Sequence, residues 1–210
     1  MRRTIRKSNP LYLITDTGIA GLSHIEIARR AIEAGIRTLQ LRDKYLPKKD
    51  LYRVAVHIAE MSVRQRVTFI INDHIDIALA VNADGVHLGQ DDMPLEEARR
   101  LMGKGKIIGI STHTLHQAIK AEEGGADYIG FGPLFPTVTK HAGNPQGVER
   151  LREIREHLDI PIVAIGGITW ENVHEVMKAG ADAVAAVSGL LKGNIMANAG
   201  CFMKALHKRV

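Results

Sequence analysis

Four segments decide the architecture: Gly35-Ile-Arg-Thr-Leu-Gln-Leu41, Asn82-Ala-Asp-Gly-Val-His-Leu88, Gly125-Ala-Asp-Tyr-Ile-Gly-Phe131 and Gly180-Ala-Asp-Ala-Val-Ala-Ala186. Each opens with Gly or Asn, the residues that end a helix in the left-handed conformation, and runs at once into a short apolar stretch. These stretches predict strands over residues 38–41, 85–88, 128–131 and 183–187. Further apolar runs at residues 11–14, 69–71, 107–110 and 162–165 alternate with them, which makes eight strands.

Amphipathic helical patterns separate the strands, at residues 25–34, 49–64, 75–81, 94–102, 116–124, 148–158, 171–179 and 197–207. Strict strand–helix alternation implies a parallel sheet. Eight units in 210 residues predict an α/β fold, a single (β/α)8 TIM barrel. The competing arrangement is an open doubly wound sheet, which also gathers ligands at the carboxyl edge of its strands. The regular four-fold period favours the closed ring. Gly130 and Gly132 are no dinucleotide fingerprint, because the third glycine is absent and the segment enters a proline-rich loop.

Composition fits one domain over residues 1–210, with residues 1–10 as a basic amino-terminal extension. Apolar residues make up 45% of the chain, and no linker or low-complexity tract divides it. The basic start, with Arg2, Arg3, Arg6 and Lys7, is followed by an apolar stretch that Thr15-Asp16-Thr17 cuts short, so no signal peptide is expected. No membrane span is expected either, and the reading places the protein in the cytoplasm. The net charge of +5 is compatible with nucleic acid, but one Trp, four Tyr and four Phe offer no stacking platform. An anionic small molecule accounts for the charge better. Cys201 falls in the last helical pattern and reads as a buried structural thiol. The sequence is compatible with a homo-oligomer and does not choose an oligomeric state.

Polar residues cluster where strands should end. Gln40, Arg42 and Lys44 leave one apolar run, Asn72 and Asp73 another, Gln90-Asp91-Asp92 a third and Ser111-Thr112-His113 a fourth. The run from Gly130 to Lys140 ends in Thr137, Thr139 and Lys140, two hydroxyls and an ammonium suited to a phosphate or diphosphate. Gly166-Gly167 and Ser188-Gly189 follow the seventh and eighth strands, where such barrels commonly bind phosphate. His74 and His87 lack a third ligand at zinc spacing and read as structural. Trp170 reads equally as packing or as a wall of the site.

Six segments in order, Leu39-Gln-Leu-Arg-Asp-Lys44, Ile71-Asn-Asp73, Asp84 to Asp92, Gly109 to His113, Gly132 to Lys140 and Ile165-Gly-Gly167, resemble those of the thiamine phosphate synthase family. The resemblance runs from about Leu11 to Ser188 and implies the same barrel. It also implies a transferase reaction with Mg²⁺. Hydroxymethylpyrimidine diphosphate condenses with hydroxyethylthiazole phosphate, giving thiamine phosphate and pyrophosphate. The carbon–oxygen bond breaks first, and the thiazole nitrogen captures the pyrimidine-stabilised cation.

That reaction needs leaving-group stabilisation and positioning rather than a protein nucleophile. Asp73 and Asp92 suit Mg²⁺, which takes carboxylates while sharing phosphates and waters, and Asp91 is left as a solvated neighbour. The plainer reading of Asp73 is a cap on the helix near Ile75. Arg42, Lys44 and Lys140 match the diphosphate, Arg42 as a planar fork and the lysines as compact charges. Gln40 and Asn72 are neutral donors beside them. By resemblance Ser111 lies near the reacting pyrimidine, and Gly167, Val187 and Ser188, with Thr137 and Thr139, hold the thiazole phosphate. Two alternatives are a related thiazole tautomerase, which departs at the metal and diphosphate motifs kept here, and a noncatalytic phosphate-ligand sensor.

Overall fold

Strand pairing alone distinguishes a barrel from an open sheet, and here the last strand returns to the first. In the computed structural model, which describes residues 9–137 and 144–207, eight parallel strands close in the order β1 to β8. They are β1 (Leu11–Ile14), β2 (Thr38–Leu41), β3 (Thr68–Asn72), β4 (Gly85–Leu88), β5 (Ile107–Thr112), β6 (Tyr128–Phe131), β7 (Ile162–Ile165) and β8 (Ala183–Ala186). Closure rests on Leu11, Tyr12 and Leu13 of β1 lying opposite Val184, Ala185 and Ala186 of β8. The open doubly wound alternative is thereby excluded.

The surrounding helices are α1 (Thr17–Ala20), α2 (His24–Glu33), α3 (Lys48–Gln65), α4 (Ile75–Ala80), α5 (Leu95–Met102), α6 (Leu115–Glu123), α7 (Gly147–His157), α8 (Val173–Lys178), α9 (Ser188–Leu191) and α10 (Ile195–His207). Eight answer to the sequence pattern. The four-residue α1 and α9 do not, because one turn carries no periodicity to read. Among the described residues no helix is long and apolar enough to cross a membrane.

The four repeated segments form one device at the amino-terminal end of the barrel. Gly35, Asn82, Gly125 and Gly180 all have positive φ, at 92°, 52°, 82° and 104°. In each, the next N–H reaches back to a carbonyl five residues earlier: Ile36 to Ala31, Ala83 to Ala78, Ala126 to Ala121 and Ala181 to Val176. That pattern satisfies the carbonyls a helix end leaves open. The following aspartates then tie in the preceding strand, since Asp84, Asp127 and Asp182 accept from the backbone N–H groups of Phe69, Ile108 and Ile162 at 2.9, 2.8 and 2.9 Å.

Alternation along the strands divides the apolar residues into two cores. Outward residues such as Leu13, Leu39, Phe69, Ile71, Val86 and Ile129 pack against the helices. Inward residues Tyr12, Ile14, Ile70, Ile107, Tyr128, Val163, Ala183 and Ala185 fill the barrel. Small inward residues make room for large ones. A Cβ on Gly109 would stand 2.1 Å from Cζ of Tyr128, so Gly109 is the space that Tyr128 occupies.

Candidate active site

Above that interior packing, the carboxyl-terminal mouth opens into a cavity of about 60 Å³. Its walls include Ile14, Val163, Ile165 and Ala185 on the apolar side and Gln40, His87, Ser111 and His113 on the polar side. Gln40 and Ser111, both singled out by sequence, therefore meet in one place.

A hydrogen-bonded chain joins them across the barrel. Gln40 donates through Nε2 to the Tyr12 hydroxyl at 2.7 Å. The hydroxyls of Tyr12 and Tyr128 lie 3.0 Å apart, His87 Nδ1 lies 2.8 Å from Tyr128, and His87 Nε2 lies 2.8 Å from Ser111 Oγ. Burial dominates the electrostatics of this chain. It raises both tyrosine hydroxyls above their ordinary range and pushes His87 down to about 4, against the pull of the Asp92 charge. His87 is thus a neutral imidazole at pH 7, able to donate from one nitrogen and accept at the other.

Asp73 and Asp92 come together at the same mouth, from the ends of β3 and β4. The Asp73 carboxyl is raised from an ordinary 3.8 to about 6, by burial first and then by its hydrogen bond with Asp92 and that group's charge. Lys44 and Arg42 pull the other way. Lys44 Nζ is 4.0 Å from Asp73 Oδ2 and is itself more than half exposed, so it screens the pair weakly. Asp92 is held by the Gly89 N–H at 2.7 Å. Asp73 has a φ of 61°, which turns the chain from β3 toward α4 while its N–H donates to the His87 carbonyl at 2.9 Å.

The helix-cap reading of Asp73 does not hold. His74 occupies the cap position of α4, with no side-chain cap bond. Asp91 is exposed, as expected of a solvated neighbour, and Asn72 is buried at the last position of β3, opposite His87. Arg42 is partly buried, and its backbone N–H is held by Thr15 Oγ1 at 3.1 Å.

The opposite rim is made by the segments after β6, β7 and β8. Leu134 and Phe135 donate backbone N–H bonds to Ile165 and Gly166, so the loop after β6 lies along the end of β7. Gly166 and Gly167 have φ values of 97° and 65°. A Cβ on Gly167 would approach Phe135 Cβ to 2.7 Å and the Pro136 carbonyl to 2.6 Å, so this glycine is required by packing whatever it binds. Val187 and Ser188 begin the short α9, and Thr137 continues from the docked loop, partly buried. Thr139 and Lys140 lie outside the described residues.

Sequence reasoning missed Tyr12, His87 and Tyr128, which read as ordinary strand residues. The available signal was the two-residue period, since His87 and Tyr128 share the inward phase of Gln40 and Ser111. His113 lines the cavity, and its Nδ1 is 2.7 Å from the Gly132 carbonyl. Trp170 meets Phe202 edge to face with ring centres 6.3 Å apart, a packing contact between the segment before α8 and the middle of α10. Cys201 is a correction: it is exposed, because α10 buries the face of Ile195, Ala199 and Phe202 and turns Cys201 outward.

Known proteins place this geometry in a family. A family model described as thiamine monophosphate synthase matches residues 11–190. The thiamine-phosphate synthase of Methanocella arvoryzae is 48% identical over 198 residues, covering 93% of each chain. That of Chloroflexus aurantiacus is 45% identical over 198 residues, 93% of this chain and 91% of its own. A solved thiamine phosphate pyrophosphorylase from Pyrococcus furiosus superposes with a TM-score of 0.89 at 36% identity, covering 98% of both chains.

Proposed function

Since the chain belongs to the thiamine monophosphate synthase family, we propose that the mouth of its barrel joins a pyrimidine diphosphate to a thiazole phosphate, giving thiamine phosphate and pyrophosphate. The enzyme is a transferase of thiamine biosynthesis. The observation that carries the residue-level reading is the junction of two unlike halves. A cavity with apolar walls and the Ser111 hydroxyl adjoins a facing carboxylate pair with Arg42 and Lys44 beside it. One half suits a heteroaromatic ring and the other a diphosphate.

The carbon–oxygen bond to diphosphate breaks, pyrophosphate departs with the bonding electrons, and the thiazole nitrogen forms the new carbon–nitrogen bond. Arg42 and Lys44 bind the departing oxygens, whose charge grows as the bond lengthens. Gln40 and Ser111 hold the ring, and the walls of Ile14, Val163 and Ala185 keep water from the cation until the thiazole nitrogen captures it. The thiazole phosphate is assigned to Gly167, Val187 and Ser188, with the hydroxyls of Thr137 and Thr139. The short helix α9 after β8 supports this, because such barrels use that element for phosphate. Lys140 is assigned to the diphosphate on sequence grounds.

Asp73 and Asp92 fit Mg²⁺. Two hard oxygen donors face each other, and burial first, then the neighbouring Asp92, raises the Asp73 carboxyl to about 6; the part due to Asp92 is a charge conflict that a divalent cation relieves. Among the described residues no third His, Cys, Asp or Glu joins them, so substrate oxygens and waters would complete the shell. When bound, Mg²⁺ would neutralise negative charge on the diphosphate. Both substrates are anions that membranes retain, in keeping with a cytoplasmic site of action. The deciding experiment incubates the purified protein with both substrates and Mg²⁺. Thiamine phosphate and pyrophosphate should appear in equal amounts, and absence of either product rejects the reading.

A further inference from the structure

A second hydrogen-bonded chain lies outside the cavity and is used by no step above. Thr15 follows β1, His24 opens α2, and Asp43 stands between Arg42 and Lys44 in the segment after β2. His24 Nδ1 is 2.8 Å from Thr15 Oγ1, and His24 Nε2 is 2.9 Å from Asp43 Oδ2. Thr15 Oγ1 also accepts the Arg42 N–H, while Asp43 Oδ1 accepts the N–H groups of Tyr45 and Leu46, both at 2.8 Å. Thr15 and His24 are buried, with 1% and 4% exposure, so water does not substitute for these bonds.

Each ring nitrogen of His24 therefore has one partner. The Arg42 N–H donates to Thr15 Oγ1, which pairs with Nδ1, and Nε2 pairs with the Asp43 carboxylate. Burial acts against the Asp43 charge, but the bonds from His24, Tyr45 and Leu46 outweigh it and hold that carboxyl below its ordinary range. The imidazole thus grips the backbone on both sides of Arg42, at its own N–H through Thr15 and at residues 43–46 through Asp43. Arg42 and Lys44 project from a segment tied beside β1 by the Thr15 hydroxyl and tied to α2 by His24 through Asp43.

We propose that His24 is a positioning residue for the pyrimidine diphosphate: with Thr15 and Asp43 it fixes the segment that presents Arg42 and Lys44 to the leaving group. This rests on the reading of Arg42 as a diphosphate anchor. The physical reason is geometric. A bidentate guanidinium contact needs its backbone held to a fraction of an ångström, whereas a surface arginine loses that advantage to its own side-chain freedom.

The test is steady-state kinetics of His24→Ala, His24→Gln and Asp43→Asn, alone and combined with Arg42→Ala. His24→Ala should raise the Michaelis constant for the pyrimidine diphosphate on the order of tenfold while leaving that for the thiazole phosphate within about twofold. His24→Gln, whose amide N–H can reach Asp43, should recover part of the loss. In the Arg42→Ala background, His24→Ala should add little, because the group it positions is gone. Equal effects on both substrates, or full additivity with Arg42→Ala, would show that His24 serves the fold alone and overturn the inference. If His24→Ala does not fold, Asp43→Asn carries the same comparison, since it keeps size and removes the charged acceptor. Should Arg42→Ala leave the pyrimidine diphosphate constant unchanged, the assignment of the site fails together with this inference. A large Arg42→Ala effect with none from His24 or Asp43 overturns the inference only.

Discussion

The two ends of this barrel use the same residue, aspartate, in opposite ways. At the amino-terminal end Asp127 accepts the Ile108 N–H and pairs with Arg99, and Asp182 accepts the Ile162 N–H and pairs with Arg155. Both of these carboxylates meet backbone and guanidinium donors. At the carboxyl-terminal mouth Asp73 and Asp92 face each other, and one carboxyl is pushed up to about 6. The base of the fold is satisfied and the mouth is frustrated, as expected where strain in the free protein is relieved by what it binds.

The largest expected effect tests the mouth. Asp73→Asn keeps the shape and the tolerance for positive φ but removes a hard anionic ligand. Turnover with saturating substrates and Mg²⁺ should fall about 100- to 1000-fold, equivalent to about 3–4 kcal/mol of lost charge stabilisation. Stopped-time product assays over a Mg²⁺ series check it, and full turnover in excess chelator would remove the metal from the reading. Asp127→Asn makes the same change at the base and should do the reverse. It should spare both Michaelis constants while costing about 2 kcal/mol of stability by removing the carboxylate paired with Arg99, about 4–8 °C in melting temperature. A loss of activity in Asp127→Asn without a melting shift would erase the contrast between the ends.

Much of the base was legible because its chemistry is local. Positive φ at Gly35, Asn82, Gly125 and Gly180 follows from residue type and from the helix that each one ends. The mouth was legible in part, because Gln40, Arg42, Asp73, Asp92 and Ser111 are polar residues at the ends of apolar runs. Tyr12, His87 and Tyr128 were hidden by their own strands. In a TIM barrel the inward face is a second core, so an aromatic residue there looks like packing until closure brings seven strands around one cavity. Cys201 went wrong for a related reason, since an apolar helix facing a barrel on one side and solvent on the other cannot be phased from composition.

Tyr128 lies between the two ends and sharpens the comparison. Its hydroxyl meets both Tyr12 and His87, so Tyr128→Phe leaves two buried groups short of a partner. The expected cost is about 1–1.5 kcal/mol, seen as a melting temperature lower by about 2–5 °C. Unlike a change at the base, it should also weaken pyrimidine diphosphate binding severalfold, because His87 then loses the partner that orients it toward Ser111. Paired melting and kinetic measurements check this, and a melting change alone would assign the interior chain to the base.

The smallest effect concerns pH and separates the ends by sign. Because the Asp73 carboxyl binds its proton more tightly when folded, at about 6 against an ordinary 3.8, its ionisation destabilises the folded state. The penalty is absent below about pH 3.8, where the group is protonated in both states. It grows as pH rises through about 6 and is constant above. In chelator at pH 8, Asp73→Asn should therefore melt higher than the unchanged protein. Its partial exposure reduces the gain to about 1 kcal/mol, or about 2–4 °C. The gain should shrink between pH 6 and pH 4, and added Mg²⁺ should raise the melting temperature of the unchanged protein more than that of the variant. Asp127→Asn should melt lower at pH 8, since its carboxylate is paired rather than opposed. Melting curves of both variants from pH 4 to 8 decide the matter. If the two substitutions shift stability in the same direction at pH 8, the mouth is no more strained than the base, and the facing carboxylates are held apart by contacts that already balance them.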